Sequence, residues 1–278
     1  MSIVLGIAAA LFIGISDAFG RASSRRDESS ITHVIAQMAV GAVVALPFTI
    51  LVDSELIIRD LAFGALSGIT VAIGLAIVYR AAADSSSALI VPVAGVIAIL
   101  VPLTWDLSTG ERLSALTAVG CAVAILAIGV VSYDPELGSE RIRKGLGLAL
   151  LGGAFFGLTL LFAGVTSEAS GTWPAVSNRA VGLVGALALA KLQSAPVMLS
   201  PSVRKFGVAG GVMGSLGMLA LILGTQIGSL AIVSVLAGSS PVITVLATAG
   251  FDDDRVSVTQ LIGVAGAIAG ATLSLIHI

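Results

Sequence analysis

Charge is what this chain has least of. Only 11% of its 278 residues are Asp, Glu, Lys or Arg, against 57% hydrophobic residues, and the mean hydropathy is +1.09. Soluble globular domains carry about 25% charged residues, so this composition excludes a soluble fold and predicts an integral membrane protein. The 14 basic and 16 acidic residues lie between apolar stretches and build no one-sided basic face, which excludes a nucleic-acid partner. Cysteine is nearly absent: Cys121 sits in an apolar run without an intrachain partner, which rules out an internal disulfide or a CxxC redox motif. Two Trp and two Tyr leave few rings for a stacking site and argue against an aromatic amino acid as a ligand. Paired carboxylates within spans, HExxH, GxSxG, phosphate-cradling loops and spaced metal ligands are all missing. No enzymatic activity, cofactor or metal site is therefore expected. The first segment has no basic n-region and reads as a spanning helix, although its length alone leaves a cleaved signal peptide open.

What the chain has is apolar runs of spanning length. About 20 apolar residues cross a bilayer as a helix. Such runs cover residues 2–20, 31–51, 60–80, 86–105, 114–132, 145–165, 173–192, 206–225, 229–249 and 257–276, which predicts ten transmembrane helices. The longest connectors, "RASSRRDESS", "SYDPELGSERIRK" and "QSAPVMLSPSVRK", are polar and have no core of their own. Of the 14 Lys and Arg, all but Arg59, Arg112 and Arg179 fall in the odd-numbered connectors or at their edges, leaving 11 there. The positive-inside rule assigns that side to the cytoplasm of a cell-membrane protein and puts both termini outside.

The chain also repeats itself. At an offset of 143, "FGALSGITVAIG" (63–74) lies over "FGVAGGVMGSLG" (206–217), and "ERLSALTAVGCAVAI" from Glu111 over "DRVSVTQLIGVAGAI" from Asp254. The same offset pairs Phe12, Gly14 and Phe19 with Phe155, Gly157 and Phe162. At an offset of 141, "QMAVGAVVAL" (37–46) lies over "NRAVGLVGAL" (178–187). Residues 1–135 and 144–278 thus read as two five-helix units. Five crossings end on the opposite side of the membrane from where they began, so the second unit is inverted, the architecture of many secondary transporters. Gly64xxxGly68 and its counterpart Gly207xxxGly211 predict close helix packing in each half, or a lining role. Pro92 and Pro102 in the fourth span, and Gly238 with Pro241 in "GSSP", are candidate helix breaks or hinges, with a static kink as the alternative.

Ten spans, a five-helix duplication, "GERLS" followed by "AVGCAVAILAIGV", and "SSPVITVLATAGFDDDRVSVTQLIGVAGAIAGATL" resemble the EamA-type domains of the drug/metabolite transporter superfamily. The resemblance covers nearly the whole chain but departs in places: Ala98 stands opposite Pro241, and the first helix lacks a Trp-Gly pair. It implies a central cavity walled by spans one to four and six to nine, with spans five and ten peripheral. It also implies export or exchange of small metabolites, among them amino acids, sugar phosphates and nucleotide sugars. A non-transporting sensor or helper subunit on the same fold is the alternative. Monomer and homodimer both stay open.

Ionisable residues inside spans are costly and single out candidate sites. Arg179 lies seven residues into the seventh span, about 10 Å deep, and its counterpart in the first unit is Met38. With Asn178 beside it, its planar guanidinium suits the carboxylate or phosphate of an anionic or zwitterionic solute. The alternative is a structural pair with Asp17, Glu168 or helix carbonyls. Gln37 extends a polar strip from His33 toward the midplane, as a ligand contact or as a helix-to-helix hydrogen bond. Asp17 and His33 flank the first connector and predict a pair that gates the cavity or carries a proton, since imidazole titrates near neutral pH. Interfacial capping by Asp17 and facilitated diffusion without a proton are the alternatives. Glu55, Asp60, Arg80, Asp106, Glu168 and Lys191 fall at span ends, where solvation accounts for them. Asp252, Asp253 and Asp254 read as a solvated turn.

Overall fold

The computed structural model describes residues 1–24, 30–84, 87–110, 139–197 and 200–251, with a few isolated positions between 111 and 138. The spans expected at 114–132 and 257–276, Cys121 and the Asp252–Asp254 turn lie outside the described residues, isolated positions aside. Apart from a short 3-10 turn over Glu168–Ser170, the elements are α1 (Ser2–Ser24), α2 (Ser30–Ala45), α3 (Phe48–Leu51), α4 (Ile58–Asp84), α5 (Ser87–Ser108), α6 (Ser139–Gly164), α7 (Trp173–Leu192), α8 (Pro201–Gln226), α9 (Leu230–Gly238) and α10 (Ser240–Phe251). No strand occurs among the described residues. In hydrocarbon each backbone N–H and C=O needs a partner within its own segment, and a helix supplies one. Among the described residues, seven stretches are long and apolar enough to cross a bilayer, and Val93–Ser108 adds a shorter apolar helix.

The prolines divide by position. Pro47 separates α2 from the single turn of α3. The ninth span breaks at Ser239, whose φ of -79° and ψ of 0° end α9 before α10 starts at Ser240. Pro241 is then the second residue of a new helix, where its missing N–H is not needed. Pro92 and Pro102 do not break their span: α5 runs through both, since a proline removes one hydrogen bond while the flanking bonds hold the helix.

α1 packs along α8 and also against α9 and α10, while α4 packs along α7 and α6. α5 lies on α6, and α2 contacts α8 and α7. Small residues let the helices approach this closely. A Cβ on Gly64 would meet the Pro174 backbone, and one on Gly68 the Asn178 carbonyl, so this pair seats α4 on α7. Gly207 and Gly211 seat α8 on α2 in the same way, against Ala36 and the Gln37 carbonyl. The core is rich in alanine, with Leu221, Ile222 and Val233 in one cluster and Ile31, Val34, Met38 and Tyr79 in another. Val4, Ile7, Leu11, Val43, Leu66, Leu151 and Val184 face outward, as side chains bathed by lipid do.

Candidate functional site

One cavity of about 100 Å³ opens between these helices, enough for several waters. Its walls come from α1 (Ser16, Asp17, Arg21), α2 (Gln37), α4 (Val71, Tyr79), α5 (Gly95, Ala98), α6 (Phe156, Thr159), α7 (Arg179), α8 (Gly214, Met218) and the broken pair α9 and α10 (Gly238, Pro241). Most of the surface is apolar, and the ionisable groups are few: Asp17, Arg21, Tyr79 and Arg179. Such a cavity, apolar with a few convergent polar groups, is the usual form of a small-molecule site.

Arg179 is 3% exposed, and its stem lies over Gly41, where a Cβ would come within 2.9 Å of Cδ. Its Nη2 donates to the Gly214 carbonyl, its Nη1 lies 3.6 Å from the Met38 sulfur, and its Nε has no hydrogen-bond partner. No ion pair joins it to Asp17 or Glu168; among the described residues the ion pair found is Arg59 with Asp60. The guanidinium therefore keeps hydrogen-bonding capacity at the cavity wall, with no direct ion pair among the described residues.

Asn178, expected beside Arg179 in the site, does not line the cavity. One residue is about 100° of helix turn, which carries Asn178 round to face α4. There its Nδ2 donates to Ser67 Oγ (2.9 Å), and Ser67 donates to the Thr159 carbonyl (3.1 Å). Gln37 does reach the cavity, and its Nε2 donates to Ser16 Oγ (2.6 Å), which donates to the Gly210 carbonyl (2.8 Å).

Asp17 and His33 do not pair as expected. Tyr79 comes between them: its hydroxyl donates to Asp17 Oδ1 (3.1 Å), and the His33 ring stands edge-on to its ring with centroids 5.7 Å apart. His33 is fully buried, has no hydrogen-bond partner on either ring nitrogen, and does not line the cavity. Asp17 thus faces the cavity and His33 stands behind Tyr79. Gly238 and Pro241 line it at the α9–α10 break, whereas Pro102 does not. Of Pro92 the structure describes only the backbone, within α5.

Tyr79, Ser16, Thr159 and Gly214 were not legible as site residues. A search for charges inside spans passes over a tyrosine next to Arg80 at a span end; that Tyr79 is one of only two tyrosines was the available signal. Two span-end carboxylates differ from expectation as well, since Asp60 is 0% and Asp106 4% exposed, whereas Glu55, Arg80, Glu168 and Lys191 are exposed.

Residues 143–276 match the EamA-like transporter family. The match spans the second half of the chain, which is similar to an EamA domain. EamA domains fall within the drug/metabolite transporter superfamily, a family of membrane transporters. A solved structure titled "Crystal structure of protein" superposes on 99% of this chain and 98% of its own with a TM-score of 0.76 at 16% identity, which shows a shared fold. No curated protein matches the chain. The EamA match, the apolar helices and the cavity together describe a membrane protein of transporter type.

Proposed function

We propose that this EamA protein is a secondary transporter of the cell membrane that moves small anionic or zwitterionic metabolites, such as amino acids, by alternating access, and that it has no enzymatic activity. The observation that carries the reading is Arg179, buried, without a direct ion pair and at the wall of a cavity that all the described spans build. A cation so placed favours a solute carboxylate or phosphate, which it can hold in bidentate fashion. Asp17, held by Tyr79 on the same cavity, offers a pole for a positive group and admits zwitterions.

Alternating access follows from two inverted five-helix units, 1–135 and 144–278. Three features support that arrangement. The EamA match covers the second unit alone. The helix pairs exchange between units: α1 meets α8 as α6 meets α4, and α2 meets α8 as α7 meets α4. The contacts at the α2–α7 crossing are reciprocal, for Gly41 receives Arg179 while Gly182 receives Met38, the equivalent residues. Two related halves that can trade roles open a midplane site to either side.

The test is flux in proteoliposomes loaded with a panel of anionic, zwitterionic, neutral and cationic solutes. Saturable uptake of anions or zwitterions is expected, with Arg179→Lys raising the apparent KM because it keeps the charge and loses the fork. Uptake confined to cationic or neutral solutes would overturn the anion site. No saturable flux of any class would point instead to a sensor or helper subunit.

A further inference from the structure

Among the described residues, one connector is tied by many hydrogen bonds and lies outside the cavity lining. Residues 165–172 join α6 to α7 through the 3-10 turn at Glu168–Ser170. Their hydrogen bonds run to elements of both halves. From the first half, the Glu55 N–H donates to the Ala169 carbonyl (2.8 Å), and Arg59 Nη2 donates to the Val165 carbonyl (3.4 Å). In the other direction the Thr172 N–H donates to Ser54 Oγ (3.2 Å). From the end of α8, Gln226 Nε2 donates to the Gly171 carbonyl (3.0 Å) and lies 3.4 Å from the hydroxyls of both Thr166 and Ser170. Gly171 takes a φ of +49° against Ser54, a turn that a side chain would obstruct.

Asp60, at the start of α4, holds the centre. Its Oδ2 accepts from the Ser167 N–H (2.9 Å) and from the Ser167 hydroxyl, while its Oδ1 has no hydrogen-bond partner. The nearest cation is the exposed Arg59, with Nη1 3.9 Å from Oδ1. A carboxylate that is fully buried and half satisfied stabilises the closed arrangement through two charge-assisted bonds, yet regains hydration if the segment lifts. The opposing contributions leave a closed state that is held but reversible. The cavity is near in chain distance: Leu160, Arg179 and Leu221 line it within about two helical turns of the ends of α6, α7 and α8 that the segment joins or binds.

We propose that residues 165–172 form a strap that seals this end of the cavity, and that Asp60 is its latch. Closure joins the first half of the chain to the second through Ser167, and opening breaks the Asp60 bonds. The strap acts whatever the solute, so its test is separable from that of the anion site.

In a Cys121→Ser background, Met218→Cys places a thiol on the cavity wall, and its labelling by a membrane-impermeant maleimide is followed in intact cells and in inside-out vesicles. With the strap intact, labelling from the strap side is slow. Asp60→Asn and Ser167→Ala should each speed it by roughly tenfold, the factor that loss of one charge-assisted hydrogen bond gives an opening equilibrium. Labelling from the other side should stay the same or fall. Ser167→Ala removes one donor and leaves the backbone bond, so it serves if Asp60→Asn does not fold. Fast labelling from the strap side without either change, or an unchanged rate in both folded variants, overturns the strap. A flux panel that rejects anions while the labelling shifts as expected leaves the strap standing and overturns the anion site alone.

Discussion

At equivalent places the two halves carry Gln37-Met38 and Asn178-Arg179, and the chain uses them in opposite ways. In α2 the first residue of the pair reaches the cavity and the second is buried; in α7 the first is buried and the second reaches the cavity. The surrounding frame is common to both. Gln37 joins Ser16 and Gly210 by two hydrogen bonds, and Asn178 joins Ser67 and Thr159, which are the equivalent three positions. Asparagine is one carbon shorter, so it reaches Ser67 on α4 and relays through it to α6. Gly41 and Gly182 complete the symmetry by admitting the long side chain of the partner helix. The matched segments therefore pack alike in both halves, and a different residue at one of two matched positions brings a cation to the cavity.

Restoring the symmetry carries the largest expected effect. Arg179→Met makes both halves carry methionine, and Met38 shows that the frame accepts it. Flux of an anionic solute should fall by roughly 100-fold in kcat/KM, the loss expected when a buried charge partner is removed. Thermal stability in detergent should stay level or rise, because a buried cation without a direct ion pair has been replaced by an apolar group. Anion flux that survives Arg179→Met, in protein that folds, would make the arginine structural.

Next come the glycines, which separate frame from function. Gly68→Ala drives a methyl into the Asn178 carbonyl, so α4 and α7 must part, at about 1–3 kcal/mol. A Cβ on Gly41 meets only the flexible stem of Arg179. Gly41→Ala should therefore shift Arg179 and raise the apparent KM while lowering the melting temperature less than Gly68→Ala does. Equal melting losses with unchanged kinetics would mean that Gly41 does not position the guanidinium.

The sequence shows the frame well, since apolar runs, the 143-residue offset and the paired GxxxG spacings are one-dimensional signals of helices and their close approach. Proline spacing alone does not separate the cases: Pro241 follows a break at Ser239, while the same residue type at 92 and 102 left α5 whole. Which face a side chain takes was the harder matter. Asn178 and Arg179 are neighbours in sequence and a quarter-turn or more apart in space, and Tyr79 joined Asp17 across 62 positions of chain. A charge inside a span announces itself by its cost, whereas a hydroxyl that will serve it looks like any interfacial tyrosine. Asp60 was misplaced for the converse reason: a span-end carboxylate is ordinarily solvated, and only the strap covers this one.

Asp17 and His33 also part company. Both were candidates for proton transfer, but Asp17 faces the cavity beside Arg21, Tyr79 and Arg179 while His33 lies behind the Tyr79 ring. If flux depends on pH, Asp17→Asn should flatten the profile and Tyr79→Phe should displace it, whereas His33→Asn should leave its shape intact. The change in rate at any one pH should be about tenfold or less for Tyr79→Phe, which removes a single hydrogen bond. A profile that flattens in His33→Asn and not in Asp17→Asn would reverse the assignment.

The smallest effect expected is on function itself, because the last test reads only the side of the membrane. Connectors rich in Lys and Arg belong in the cytoplasm by the positive-inside rule, which places the connector after α7 inside and the one between α3 and α4 outside. Ser24, a natural choice for a label, is 8% exposed and donates to the Gly20 carbonyl, so protection there would report burial as readily as sidedness. Ser194 and Glu55 are exposed and lie at opposite ends of the bundle. In a Cys121→Ser background, Glu55→Cys should react with an impermeant maleimide in intact cells and Ser194→Cys only after permeabilisation, with flux near wild type in both. Labelling of Ser194→Cys but not Glu55→Cys in intact cells would invert the chain and put the Asp60 strap on the cytoplasmic face. The packing of the two halves would be untouched, since inversion exchanges their sides and leaves every contact between them in place.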